Sequence, residues 1–197
     1  MSSCKRVQFW DDTNGSWKVN HNTLVDDLVI RDVQPSDEAC VRDVTVAAFA
    51  QEEEAGLLDR LRHCGALVLE KVAVNDEGKI QGHVAFSRVT PRATGRGQGL
   101  KITCLAPASV WPHFQRQGVG SALIKAALED LWNAGEDLVL VLGSPTYFPE
   151  LGFSAELARK IKGPYAGNAF MALALSEAGE RDLPIEVAFA TPFEAFE

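Results

Sequence analysis

Residues 105–131, LAPASVWPHFQRQGVGSALIKAALEDL, constrain this chain more than any other stretch. The uncharged, mostly apolar run 103–110 reads as a buried strand. Pro107 and Pro112 bound it and exclude a helix there. Helical periodicity begins at Gly118. Lys125, Glu129 and Asn133 recur every four residues as a polar stripe, and Val119, Leu123, Ala126, Ala127 and Leu131 fill much of the rest. The pattern predicts a helix packed against a sheet.

The join between strand and helix is Gln115-Arg116-Gln117-Gly118-Val119-Gly120-Ser121. A helix start leaves about four backbone N–H groups without partners and carries roughly half a positive charge. Glycines at Gly118 and Gly120 remove side chains that would hold an anion away. The turn is therefore suited to a phosphate held on main-chain donors, with the Ser121 hydroxyl beside them. Three charge-assisted hydrogen bonds of about 1.5–3 kcal/mol each would anchor a pyrophosphate. The same glycines would also serve close helix–sheet packing with no ligand present. A dinucleotide fold, the other ligand-binding alternative, wants a third glycine where this chain has Leu123. A P-loop is excluded, because no Gly-Lys-Ser/Thr follows.

Size and charge narrow the class. A chain of 197 residues is one domain by its length. Its 46% apolar content supports a sizeable core without disulfides. A net charge of −8 argues against nucleic acid, whose binding needs basic surface. Cys4, Cys40, Cys64 and Cys104 form no Cys-x-x-Cys pair and no zinc spacing with the histidines. Scattered thiols suggest a reducing cytoplasm. No signal-peptide pattern opens the chain, and no run approaches the roughly 18 apolar residues of a membrane span.

Residues 1–25 are polar and read as an N-terminal arm, either irregular or partly docked through Phe9, Trp10 and Trp17, with a disordered tail as the alternative; residues 26–197 form the domain. Residues 28–33 predict a first strand, with Ser36 capping a helix over 37–49. A second helix follows over 52–63, led by Glu52-Glu53-Glu54, whose charge suits the helix dipole or attracts a cationic substrate. Residues 66–74 and 79–89 predict a hairpin around Asn75-Asp76-Glu77-Gly78, and Gly82 marks a bulge or a close approach. Residues 90–99 read as a loop made basic by Arg88, Arg92 and Arg96. Residues 137–142 predict a buried strand, 144–151 a short connection, 169–175 a last strand and 186–189 an edge addition.

The turn also resembles a known signature. Gln115-x-x-Gly118-x-Gly120 is similar to the Gln/Arg-x-x-Gly-x-Gly/Ala loop of the GNAT superfamily of acyl-coenzyme A-dependent N-acyltransferases. Leu105-Ala106-Pro107, Val110-Trp111-Pro112, Gly143-Ser144-Pro145 and Leu151-Gly152-Phe153 resemble the flanks of that loop in single-domain bacterial members. The likeness extends over about 28–193. It implies an α/β fold: a central mixed β-sheet flanked by helices on both faces.

The resemblance further implies acetyl-coenzyme A as cosubstrate, no metal, and acetyl transfer to a primary amine by direct attack. The amine would belong to a small molecule or a peptide; nucleic acid and membrane are not expected as partners, and a homodimer is left open. The pyrophosphate would lie on Gln115, Arg116, Gln117, Gly118, Val119, Gly120 and Ser121. The pantetheine arm would lie between 101–106 and 137–142, with a main-chain N–H at Leu105 or Ala106 polarising the thioester. Many members place a tyrosine, the acid for the leaving thiolate, four residues before the Gly of the Gly-Phe turn. That position here is Phe148, so Tyr147 is the candidate acid. Glu70 and His83 are candidate bases, each with a structural role as the alternative. A non-catalytic acyl-coenzyme A sensor is the alternative function.

Overall fold

A computed structural model describes residues 8–11, 16–19, 28–92 and 97–196. Strands β1 (Gln8–Asp11) and β2 (Ser16–Val19) pair antiparallel as a separate two-stranded ladder. The arm is therefore not wholly irregular. The sequence signal was Asn14-Gly15, a hairpin dipeptide between two short runs.

The domain begins with β3 (Val29–Asp32), α1 (Glu38–Phe49) and α2 (Glu53–His63). The hairpin β4 (Leu67–Val74) and β5 (Ile80–Pro91) follows, then β6 (Ile102–Val110), α3 (Val119–Asn133) and β7 (Leu138–Leu142). Short elements close the chain: α4 (Ala155–Ala158), β8 (Ile161–Lys162), β9 (Phe170–Ala174), α5 (Glu177–Arg181) and β10 (Ile185–Ala188). The main path of the eight-stranded sheet runs β3-β4-β5-β6-β7-β9, with β10 joined to β5 and β8. Along that path β6 and β7 are the parallel pair; its other neighbours are antiparallel. The sheet is thus mixed, as expected.

Helix α3 covers one face. Val119, Leu123, Ile124, Ala127, Leu128 and Leu131 pack with Val84, Phe86, Leu105 and Val139. Helices α1 and α2 cover the other, where Val41 and Leu58 meet Val72 and Ala85. A wider cluster on that side joins Leu57 and Leu61 to Ile102, Cys104, Leu140 and the C-terminal Ile185, Val187 and Phe193. Gly82 is a close approach: a Cβ there would stand 2.9 Å from the Ser109 carbonyl oxygen and 3.0 Å from Leu123.

Two local expectations change. Ser36 does not cap α1, because Pro35–Asp37 forms a 3-10 turn ahead of it. Asp37 instead accepts the Gln34 N–H at 2.8 Å and pairs with Arg31 of β3. Residues 90 and 91 extend β5, because β10 supplies them with partners, Val187 opposite Pro91 and Ala188 opposite Thr90. Arg88 therefore lies on a strand, and Arg96 falls outside the described residues.

Candidate active site

The parallel pair at the centre of the sheet comes apart. Its register runs from Ile102 opposite Leu138 to Leu105 opposite Val141 and then stops. The cause is visible on the other edge of β6. Val84 faces Ala108 but Phe86 faces Leu105, so Ala106 and Pro107 stand opposite Ala85 alone. This is a β-bulge, which bends its strand and ends pairing. Pro107 suits it, since it has no N–H to contribute to a ladder. Meanwhile β7 continues straight along β9, with Leu142 opposite Phe170. One strand bends and its neighbour does not, so a gap opens beyond Leu105.

That gap is the inner wall of a cleft of about 380 Å³ lined by Leu105, Ala106, Pro107, Val141, Leu142 and Gly143, with Cys104 beneath. Phe148 lies over Gly143, where a Cβ would overlap its ring, and meets Phe153 edge-on. A larger hollow of about 680 Å³ lies by Lys79 and Trp111. It lies away from the parting of β6 and β7, and its charges are already paired, Glu77 with Lys79 and Asp37 with Arg31. The smaller cleft is the chemically informative one.

The turn into α3 stands next to β6. The Gln115 side chain donates to the Val110 carbonyl at 3.1 Å, and that of Gln117 to the His113 carbonyl at 2.7 Å. Both side chains therefore build the loop. Arg116 has φ +60° and Gly118 has φ +92°, the left-handed region that favours glycine at the start of α3. Val119, Gly120 and Ser121 follow as the first helical residues, whose N–H groups have no intrahelical partner. A Cβ on Gly120 would come 3.3 Å from the Tyr147 hydroxyl, and that hydroxyl lies 3.1 Å from the Ser121 Oγ. Tyr147 thus reaches the helix start while Phe148 lines the cleft, an arrangement the sequence alone did not supply.

Glu70 and His83 lie away from the cleft lining. His83 is fully buried, and its Nε2 is 2.9 Å from Glu70. Arg62 donates to both oxygens of Glu70, at 3.1 and 2.7 Å. Burial lowers the pKa of His83 against the pull of Glu70. Burial would raise that of Glu70, but the hydrogen bonds from His83 and Arg62 outweigh it and hold the carboxyl low. A neutral His83 donating from Nε2 to an ionised Glu70 satisfies both directions. Both groups are thus engaged with each other and with Arg62. Arg88 is likewise committed, donating to both oxygens of the buried Glu136 at 2.6 and 2.7 Å. Cys104 is buried, and burial pushes its thiol up to about 12. Among the described residues no cluster of three or more His, Cys, Asp or Glu could hold a metal. No helix among them is long and apolar enough to cross a membrane.

Fold and site together define a class. It is a mixed-sheet α/β protein whose parallel strand pair parts at a bulge beside a glycine-led helix start. Over residues 29–155 the chain matches the acetyltransferase (GNAT) domain, and it belongs to that family. It is 36% identical over 119 residues to the uncharacterized N-acetyltransferase YjhQ of Escherichia coli K12, covering 60% of this chain and 65% of that protein. It is 32% identical over 126 residues to the uncharacterized N-acetyltransferase YhbS of the same organism, covering 64% and 73%. The crystal structure of YhbS from Escherichia coli in complex with CoA superposes with a TM-score of 0.78 at 28% identity, covering 86% of this chain and 93% of that one. A GNAT family acetyltransferase from Brucella melitensis in complex with acetyl-CoA gives 0.68 at 33%, covering 84% and 97%.

Proposed function

We propose that this protein is an acetyl-coenzyme A-dependent N-acetyltransferase acting on a primary amine by direct attack. The observation that carries the reading is the opening of β6 from β7 beside the start of α3. The gap exposes main chain for an extended arm, and the helix start offers donors to a pyrophosphate at one end of it. Two similar proteins crystallised with coenzyme A or acetyl-coenzyme A support the same ligand here.

In this reading the main chain of residues 115–121 holds the pyrophosphate, and an N–H at Leu105 or Ala106 polarises the thioester carbonyl. An alkylammonium, with a pKa near 10.4, first gives up a proton at a cost of about 4–5 kcal/mol at pH 7. The neutral nitrogen attacks the carbonyl carbon, the C–N bond forms and the C–S bond breaks. The departing thiolate takes the phenolic proton of Tyr147, and the nitrogen's second proton, shed as the amide forms, restores the phenol. The products are an amide, free coenzyme A thiol and one proton released to solvent. The raised thiol pKa of Cys104 fits transfer without an acyl-cysteine, since the nucleophilic thiolate is scarce at pH 7.

Tyr147 is the proposed proton donor to the thiolate. Burial raises the pKa of its phenol and keeps it protonated. The second reading is a non-catalytic acyl-coenzyme A sensor. It is favoured by Phe148, which occupies the cleft where the resemblance expects a tyrosine. Thermal unfolding with acetyl-coenzyme A, coenzyme A and NAD tests the shared part. A ligand at 100 times its Kd adds about 2.7 kcal/mol to stability. Acetyl-coenzyme A and coenzyme A should raise Tm and NAD should not; thiol release with an amine panel then separates enzyme from sensor.

A further inference from the structure

The cleft has an aromatic lining. Among the described residues six aromatic rings border it: Phe148 beside the sheet gap, and Phe49, Tyr165, Phe170, Phe189 and Phe193 beyond it. Three of them interlock, Tyr165 with Phe189 at 5.0 Å and Phe189 with Phe193 at 5.6 Å, both near edge-on. Among the described residues a single charged one lines the cleft, Glu54 on the first turn of α2. Its carboxylate accepts from Gln51 Nε2 at 2.9 and 3.0 Å. Its neighbour Glu52 is instead paired with Arg42 at 2.6 Å, outside the cleft.

We infer that the acceptor is a monocationic amine with an aromatic body, held with its ammonium toward Glu54 and its ring against the aromatic wall. The inference rests on the acetyltransferase reading and names the substrate class for that site. The sheet gap takes the thioester, so the aromatic wall and Glu54 are what remain for the acceptor. One carboxylate of the lining balances one ammonium; a polyamine would have to turn its further cations out of the cleft, toward Glu53, and would leave the rings unused. A polar body, such as a sugar or an extended peptide, would lose hydrogen bonds to water that this wall cannot replace. An acyl chain longer than acetyl would suit the rings, but would bring apolar groups against the Glu54 carboxylate. Aromatic bodies stack on such walls, and the ammonium gains from both carboxylate and ring faces.

The test uses the full chain with saturating acetyl-coenzyme A and follows thiol release with 2-phenylethylamine, spermidine and a lysine-containing peptide. The expected result is a kcat/KM for 2-phenylethylamine at least tenfold above the other two. Glu54→Gln should raise its KM about tenfold while the thermal shift given by acetyl-coenzyme A is kept. If acetyl-coenzyme A produces no thermal shift, the acetyltransferase reading falls, and this inference with it. If the shift is present but the peptide or spermidine is preferred, the inference alone is overturned. It is also overturned if no amine turns over and hexanoyl-coenzyme A binds more tightly than acetyl-coenzyme A, since the rings then hold an acyl chain. A second variant, Phe49→Ala at the exposed end of α1, should lower kcat/KM for 2-phenylethylamine more than for ethylamine. An equal loss for both counts against the aromatic wall.

Discussion

The Tyr147 hydroxyl lies 3.1 Å from the Ser121 Oγ, joining the segment after β7 to the first turn of α3. The contact places a phenol at the end of the gap where main-chain donors converge. Phe148, one residue on, points instead to the cleft. Tyr147 precedes the 3-10 turn Phe148–Leu151, and its ring meets that of Phe148 near edge-on at 5.1 Å, so the two aromatics reach different places.

That geometry makes Tyr147→Phe informative. As the acid, Tyr147 should lose about tenfold or more of kcat on substitution, with KM for acetyl-coenzyme A little changed. Steady-state kinetics with an active amine reads the split. A rise in KM alone would make Tyr147 an anchor for the cofactor and leave water as the proton source. Phe148→Tyr should raise turnover if the cleft position lacks only a hydroxyl.

Gly120→Asp should abolish the thermal shift given by acetyl-coenzyme A while the chain still folds. The new carboxylate would sit among the first-turn donors and repel a pyrophosphate. It would also press on Tyr147, 3.3 Å from the position of a Cβ. Far-ultraviolet circular dichroism checks folding, and calorimetric titration checks binding. Binding equal to the parent's would place the pyrophosphate elsewhere.

Stability should fall on acidification, beginning earlier than carboxylates alone would require. The folded pKa of His83 is depressed below 6.5, so the unfolded chain takes up its proton first. That contribution is present above about 6.5 and is lost as pH falls below it. Glu70 adds a second loss below 4.5, its ordinary value, because its folded pKa is also lowered. Urea midpoints measured from pH 8 to 5 should decline, and His83→Gln should flatten the limb between 7 and 5.5. An unchanged slope in the variant would show that His83 is not the group responsible.

Arg88→Ala should destabilise the fold by roughly 2–3 kcal/mol, below the range for a fully buried pair because the arginine is partly exposed. It strands Glu136, which is 4% exposed. Arg92→Ala should change stability by less than about 0.5 kcal/mol, since its 3.5 Å contact with Glu186 lies in solvent. Chemical denaturation of the two variants compares them, and equal effects would contradict the assignment.

The sequence determined the central elements because their patterns are local. Helix α3 follows from its polar stripe, β7 from a continuous apolar run, and the hairpin from Asn75-Asp76-Glu77-Gly78 between two β-rich segments. The turn at Gly118 was legible because a pair of glycines stands where the helical period begins; its left-handed backbone is a detail of the structure. What the sequence could not determine was every relationship between distant residues. The bulge at Ala106 and Pro107 is defined only against Ala85 of another strand. Arg88 meets Glu136 across 48 positions and His83 meets Glu70 across 13, so neither basic-loop nor general-base roles could be separated from pairing beforehand. The aromatic wall gathers Phe49, Tyr165, Phe189 and Phe193 from separate segments, none of which carries a motif. Periodicity reports which face of an element is apolar. Only the packed sheet decides which faces meet, and here that meeting opens the cleft.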